Sequence, residues 1–167
     1  LDLGTSELKA LLLSAQHEIV ATAHALLTVQ HPSPLWSEQS PASWWEALET
    51  VMNALYDQHP EALAQVQGIG LSGQMHGAVL LDSNQAVLRP AILWNDGRSH
   101  VQCDELTAAL PELSAIAGNL AMPGFTAPKL LWVRAHEPAI FEQVHCVLLP
   151  KDWLRLKLCG EAVSEMS

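Results

Sequence analysis

The stretch Gly68-Ile69-Gly70-Leu71-Ser72-Gly73-Gln74-Met75-His76-Gly77-Ala78-Val79-Leu80-Leu81 decides the fold. Its first six residues satisfy G-x-G-x-x-G, the dinucleotide fingerprint. That fingerprint must follow a strand and open a helix whose N-terminus faces a pyrophosphate. Here the strand itself would have to contain Gly68 and Gly70, and Gly73 is followed by a Gly-bounded turn and a second apolar run. The stretch therefore reads as a short buried strand over 68–72, a turn over 73–77 and a strand over 78–81. A nicotinamide-dependent dehydrogenase, which needs a helix starting near Gly73, is rejected on this pattern.

Working outward toward the N-terminus, residues 8–13 are apolar and strand-like and residues 19–27 alternate loosely, with Ala15, Gln16 and His17 as a turn. Leu1-Asp2-Leu3 already resembles the middle of a strand, so a meander is expected whose first strand is cut short. His31-Pro32-Ser33-Pro34 is a loop. Ser40 and Pro41 suit an N-cap and a first helical position, and Trp44, Leu48, Val51, Met52 and Leu55 share one face of a helix reaching about residue 56–58. Toward the C-terminus, Asp82-Ser83-Asn84 turns, residues 88–93 form a strand and residues 99–110 are helical. A further helix follows Thr126, a strand covers 147–149, and a short helix over 151–158 stops at Gly160. Strands and helices interleaved in this way predict an α/β domain.

Composition narrows the class. With 49% hydrophobic and 16% charged residues the chain has a core to bury, which excludes disorder. A net charge of −10 without a basic cluster argues against nucleic acid or an anionic membrane as partner. No apolar run approaches the ~20 residues of a membrane span. Cys103, Cys146 and Cys159 lie far apart without C-x-x-C spacing, as in a reduced, cytoplasmic protein. The histidines show no metal-ligand spacing, and no nucleophile–base pair is evident.

Three strings carry chemistry. In Asp2-Leu3-Gly4-Thr5-Ser6 an acid on a strand precedes Gly and two hydroxyl residues. Gly4 lets backbone approach a phosphate, Thr5 and Ser6 supply hydroxyl and N–H donors, and Asp2 can hold Mg²⁺ directly or through water. A tight hairpin built of the same turn formers is an equal reading. Gln74-Met75-His76 between two glycines presents polar groups and amides to a cleft, which is what a polyol requires; a Gly-rich hairpin with a packed His76 is the alternative. In Trp94-Asn95-Asp96-Gly97-Arg98 a flat Trp can cover the C–H side of a sugar while Asn95 and Asp96 meet its hydroxyls. Taken alone, that string reads better as a core Trp beside an Asp–Arg surface pair.

In order, these strings resemble the FGGY family of carbohydrate kinases, and within it the members that act on D-xylulose. The resemblance runs the whole length and adds Leu35-Trp36-Ser37-Glu38-Gln39, Trp44-Trp45, Arg89 to Arg98, Gly118-Asn119-Leu120, Pro123 to Trp132 and Leu148-Leu149-Pro150-Lys151-Asp152. The segment from Gly124 to Trp132 resembles the family's first signature, with Ala135 departing from its usual polar residue. The Gln74-Met75-His76 turn points to xylulose, since glycerol kinases carry a basic–acidic pair after the Gln.

The resemblance implies a ribonuclease-H-like (actin/hexokinase-type) domain, a mixed sheet with flanking helices, the first of two such domains. It implies ATP- and Mg²⁺-dependent phosphorylation of D-xylulose to D-xylulose 5-phosphate. Asp2 would sit beside Mg²⁺ and the γ-phosphate, Gly4, Thr5 and Ser6 would form the first phosphate turn, and Gln74, Met75, His76, Trp94, Asn95 and Asp96 would line the sugar. Residues 1–167 would be the N-terminal, sugar-side domain, truncated at both ends, with the ATP-binding domain and the general base outside the chain. A non-catalytic sugar-binding or regulatory module on the same fold, or a kinase of another pentulose or polyol, are the alternatives. Family members are often dimers, which places a homodimer among the expected partners.

Overall fold

The computed structural model describes residues 1–164. The chain opens with β1 (Asp2–Leu3), β2 (Glu7–Leu13) and β3 (Ile19–Leu26), the antiparallel meander expected from the sequence. The β2–β3 turn is closed by Ser14, whose Oγ accepts the Gln16 and Glu18 N–H groups at 3.2 Å, with His17 at φ 63°. A two-residue strand β4 (Glu38–Gln39) precedes helix α1 (Pro41–Gln58). Ser40 occupies the N-cap position and Pro41 the first turn, but the Ser40 side chain makes no capping bond; Ser43 Oγ donates to the Ser40 carbonyl at 2.7 Å instead. Trp44, Leu48, Val51 and Leu55 form the buried stripe of α1 across β2 and β3.

After the short helix α2 (Pro60–Ala64) comes β5 (Ser72–Gly73), which pairs parallel with β1 and completes a mixed sheet of order β3-β2-β1-β5. Here the structure corrects the sequence reading: the strand starts later than 68, and residues 68–70 are exposed. Gly68 and Gly70 stand in open space with no side chains to pack, so only the residues opposite Asp2 and Leu3 gain ladder bonds. The turn over 73–77 leads into a strand, β6 (Val79–Leu81), as required to exclude the dinucleotide reading.

The strand expected over 88–93 shrinks to β7 (Ala91–Ile92), paired with β4, because Pro90 has no N–H to donate and the Arg89 side chain is drawn into ion pairs. The C-terminal part contains α3 (His100–Ala109), α4 (Leu113–Ala117), α5 (Thr126–His136), α6 (Pro138–Phe141), β8 (Cys146–Leu148) and α7 (Pro150–Cys159), with β8 antiparallel to β6. Gly160, at φ 76°, ends α7 as expected. The short helices α2, α4 and α6 have no counterpart in the sequence reading.

Two apolar cores result. The first joins Leu3, Leu8 and Leu12 of the sheet, the α1 stripe, and Trp153, Leu154 and Leu156 of α7. The second joins Ala78, Leu80, Ile92, Trp132 and Val133. Strands β6 and β7 serve both, since Val79, Leu81 and Ala91 face the first core while Leu80 and Ile92 face the second. No helix among the described residues is long and apolar enough to cross a membrane.

Candidate active site

Alternation along β1 buries Leu3 completely and leaves Asp2 exposed, registered between Lys9 and Ser72. The turn after it is tight: a Cβ on Gly4 would lie 2.9 Å from the Glu7 carbonyl. Thr5 and Ser6 follow with Ser6 exposed. A Cβ on Gly73 would lie 2.8 Å from the Leu3 carbonyl, so glycine on β5 permits the close approach that brings residues 73–77 beside this turn.

The two turns are tied by side chains. Trp94 Nε1 donates to Thr5 Oγ1 at 2.9 Å, and Thr5 Oγ1 donates to Gln74 Oε1 at 3.4 Å. Gln74 Nε2 donates to Gln39 Oε1 at 3.0 Å, and Gln39 Nε2 donates to the Thr5 carbonyl at 2.7 Å. Gln39 Oε1 also accepts Trp44 Nε1 at 3.0 Å, which anchors the net in the first core. Gln74 is therefore not a wall of an open pocket, as the sequence suggested. Its amide is buried and engaged at both ends, and it joins the phosphate-turn candidate to the sugar-turn candidate from beneath.

His76 sits at φ 60°, and the Gly77 N–H bonds back to the Met75 carbonyl at 2.8 Å, a three-residue γ-turn of the rare positive-φ kind. Strain of this sort persists only where the surroundings over-determine it, and it clusters at functional sites. Gly77 is needed here because Pro150 Cγ would lie 2.6 Å from a Cβ. Met75 is exposed, and the half-buried His76 ring packs on Phe125 at 4.6 Å. Burial first, and the Lys129 charge second, hold the His76 imidazole below its ordinary value, so it is neutral at pH 7 and offers one donor and one acceptor.

Trp94 and Asn95 are exposed just past β7. Asp96 is not. Its carboxylate is buried, accepts the Ser37 N–H at 2.6 Å and the Arg98 N–H at 2.9 Å, and pairs with Arg98 Nη2 at 2.7 Å. The surface pair read from the sequence is thus a buried network that supports the Trp94-Asn95 loop from behind. Glu38 joins it, paired with Arg89 and, out of line for a hydrogen bond, 2.7 Å from Arg98 Nη1. Glu137 holds the other side of Arg89 at 2.7 Å. The Arg98 guanidinium lies 3.8 Å from the Trp36 ring centroid and 4.9 Å from that of Trp132.

Sequence reasoning missed two residues of this region. One is Gln39, whose partners lie 34 and 35 positions away. The other is Lys129, fully buried with Nζ donating to the His76 and Gly124 carbonyls at 2.7 Å each. A signal existed for the second: Lys129 occupies the face of α5 that carries the buried Trp132 and Val133. Burial pushes its ammonium down to about 7, opposed by Asp96 and reinforced by Arg98.

Among the described residues no group of three or more His, Cys, Asp or Glu is placed to hold a metal ion. A lone exposed carboxylate, Asp2, fits Mg²⁺ of the kind that keeps its waters and arrives on phosphate oxygens, not an ion caged by protein alone.

The family model of the FGGY carbohydrate kinases, N-terminal domain, matches residues 1–167. The chain is 58% identical over 167 residues to a xylulose kinase of Escherichia coli strain K12, covering 100% of this chain and 34% of that protein. Among solved structures, a "xyloylose kinase" from Brucella ovis superposes with a TM-score of 0.94 at 54% identity, covering 96% of this chain and 33% of that one. The xylulose kinase from Rhodospirillum rubrum gives a TM-score of 0.92 at 34% identity, covering 97% of this chain and 34% of that one. The chain thus spans about a third of the length of the relatives it matches. Its mixed α/β architecture is the ribonuclease-H-like fold of actin and hexokinase.

Proposed function

Because the chain belongs to the FGGY family of carbohydrate kinases, we propose that it is the N-terminal, sugar-side domain of a kinase that phosphorylates D-xylulose to D-xylulose 5-phosphate. The observation that carries this reading is the Trp94–Thr5 bond of 2.9 Å, which puts an aromatic wall suited to a sugar against the turn suited to phosphate. The names of the 58% and 34% identical relatives support xylulose as the sugar. ATP is the co-substrate and supplies the phosphoryl group, with Mg²⁺ neutralising its charge.

This chain's residues bind and orient. The Trp94 face covers the apolar side of the ketopentose while Met75, His76 and Asn95 meet its edge and hydroxyls. The neutral His76 imidazole donates to one hydroxyl and accepts from another, which fixes the sugar for in-line attack. The Gly4–Ser6 turn would offer its backbone N–H groups and the exposed Ser6 hydroxyl to phosphate, the Thr5 hydroxyl being committed to Gln74, and Asp2 would hold Mg²⁺ directly or through water. Asp96 and Gln74 act from behind, holding Trp94-Asn95 and Thr5 in place. The general base and the adenine site belong to the rest of the protein. The same reading takes the enzyme as cytoplasmic, with a second copy of itself among its expected partners.

The test is a coupled assay of the full-length protein with xylulose, ribulose, glycerol and gluconate. Xylulose gives the highest kcat/KM, and His76→Ala abolishes that turnover while leaving the circular dichroism spectrum unchanged. Unchanged kcat/KM in this variant removes His76 from the site, and preference for another substrate overturns the xylulose assignment. The isolated 167-residue chain is expected to be inactive.

A further inference from the structure

The segment from Gly124 to Trp132 packs against the 73–77 turn, and two of its side chains converge on one backbone group there. Thr126 Oγ1 donates to the His76 carbonyl at 3.2 Å, and Lys129 Nζ donates to the same carbonyl at 2.7 Å. The second Lys129 bond, to the Gly124 carbonyl at 2.7 Å, fixes the loop that carries Phe125 against the His76 ring. That loop is pressed onto the other wall as well, since a Cβ on Gly124 would lie 2.5 Å from the Trp94 carbonyl. Ser99 Oγ, donating to the Pro123 carbonyl at 3.1 Å, holds its far end.

A fully buried lysine committed to two main-chain carbonyls is an unfavourable arrangement to desolvate, and an apolar residue there would be easier to bury. One of its two acceptors is the residue in the strained γ-turn, and the other lies in the loop that packs against the Trp94 carbonyl.

We infer that Lys129 is a positioning residue for sugar recognition: with Thr126 it clamps the His76 carbonyl, so that the positive-φ turn presents the imidazole at a fixed angle between Phe125 and the substrate. The inference deepens the proposed xylulose site and rests on that reading. Lys129 touches no substrate. It acts through His76 and, by way of Gly124, through the seat of Trp94.

The experiment uses full-length Lys129→Met and Thr126→Val proteins, assayed well below their measured Tm. Thr126→Val removes one donor and leaves the ammonium in place, so it stays informative if Lys129→Met fails to fold. The expected result is a KM for xylulose raised roughly threefold in Thr126→Val and more than tenfold in Lys129→Met, with the KM for ATP unchanged. A folded variant that keeps the wild-type KM for xylulose overturns the inference, as does a rise in both KM values together. The ring-proton shift of labelled His76, set by the Phe125 ring, is read in the same proteins and moves in both variants if the clamp exists. Should the wild-type protein leave xylulose untouched, the substrate reading falls; an unmoved His76 signal then overturns the clamp separately.

Discussion

Replacing Gln39 by leucine tests the net that links the two turns. Leucine nearly matches the glutamine in volume, so the loss comes from hydrogen bonds and not from a cavity. Three are removed: Nε2 to the Thr5 carbonyl at 2.7 Å, and Oε1 from Trp44 Nε1 and Gln74 Nε2, each at 3.0 Å. They do not weigh equally. Trp44 is fully buried, so its indole N–H is left in an apolar core and incurs the full desolvation penalty of about 1–3 kcal/mol. Gln74 Nε2 keeps a long contact of 3.5 Å to the Gly4 carbonyl, and water reaches the half-buried Thr5, so these two losses are partial. The sum is about 2–4 kcal/mol, measured as the fall in unfolding free energy of the 167-residue chain in urea by circular dichroism. Gln39→Met, equally long and equally unable to bond, should lose about the same. A loss below about 1 kcal/mol in both, or recovery in the methionine variant, would refute the accounting by orphaned donors.

Trp94→Phe in the full-length enzyme keeps an aromatic face and deletes the donor to Thr5 Oγ1. The expected result is kcat lowered about 3–10-fold with the KM for xylulose within about threefold, and a change confined to KM would show that Trp94 serves the sugar alone. Stability should also rise with pH between about 7 and 10, because the unfolded chain holds a proton on Lys129 in that window that the folded chain has released. The charged or titratable groups facing this amine are Asp96, Arg98 and His76, and the neutral amine still carries two N–H donors for its two carbonyls. His76, lowered as well, adds the same sign just below its ordinary value of 6.5. Denaturant midpoints that stay flat or fall from pH 7.5 to 9.5 would sink this assignment.

The meander, α1 and the turn before β6 were legible because local chemistry dictates them: alternation in residues 8–13, Pro41 after Ser40, two glycines around residues 74–76. The family was legible from ordered strings, not from any one of them. The direction of polar side chains escaped. Nothing local tells that Gln74 turns inward while Met75 beside it stays in solvent, because the deciding partner, Thr5, stands 69 positions away. Asp96 misled for a similar reason: its pairing with Arg98 is local, but its burial depends on Ser37, 59 positions distant. Strand β4 was invisible because Glu38 and Gln39 have loop composition, and only ion pairs and amide bonds to remote residues make them tolerable inside.

Strands β6 and β7 are party walls. Each hands alternate side chains to different cores, so neither core can loosen without baring one side of a strand that the other still needs. The Leu80 and Ile92 positions therefore do more than fill space: they couple the stability of the sheet-and-α1 half to that of the α5 half. The turn over 73–77 leads directly into the upstream end of β6, so it is anchored to both cores through that strand.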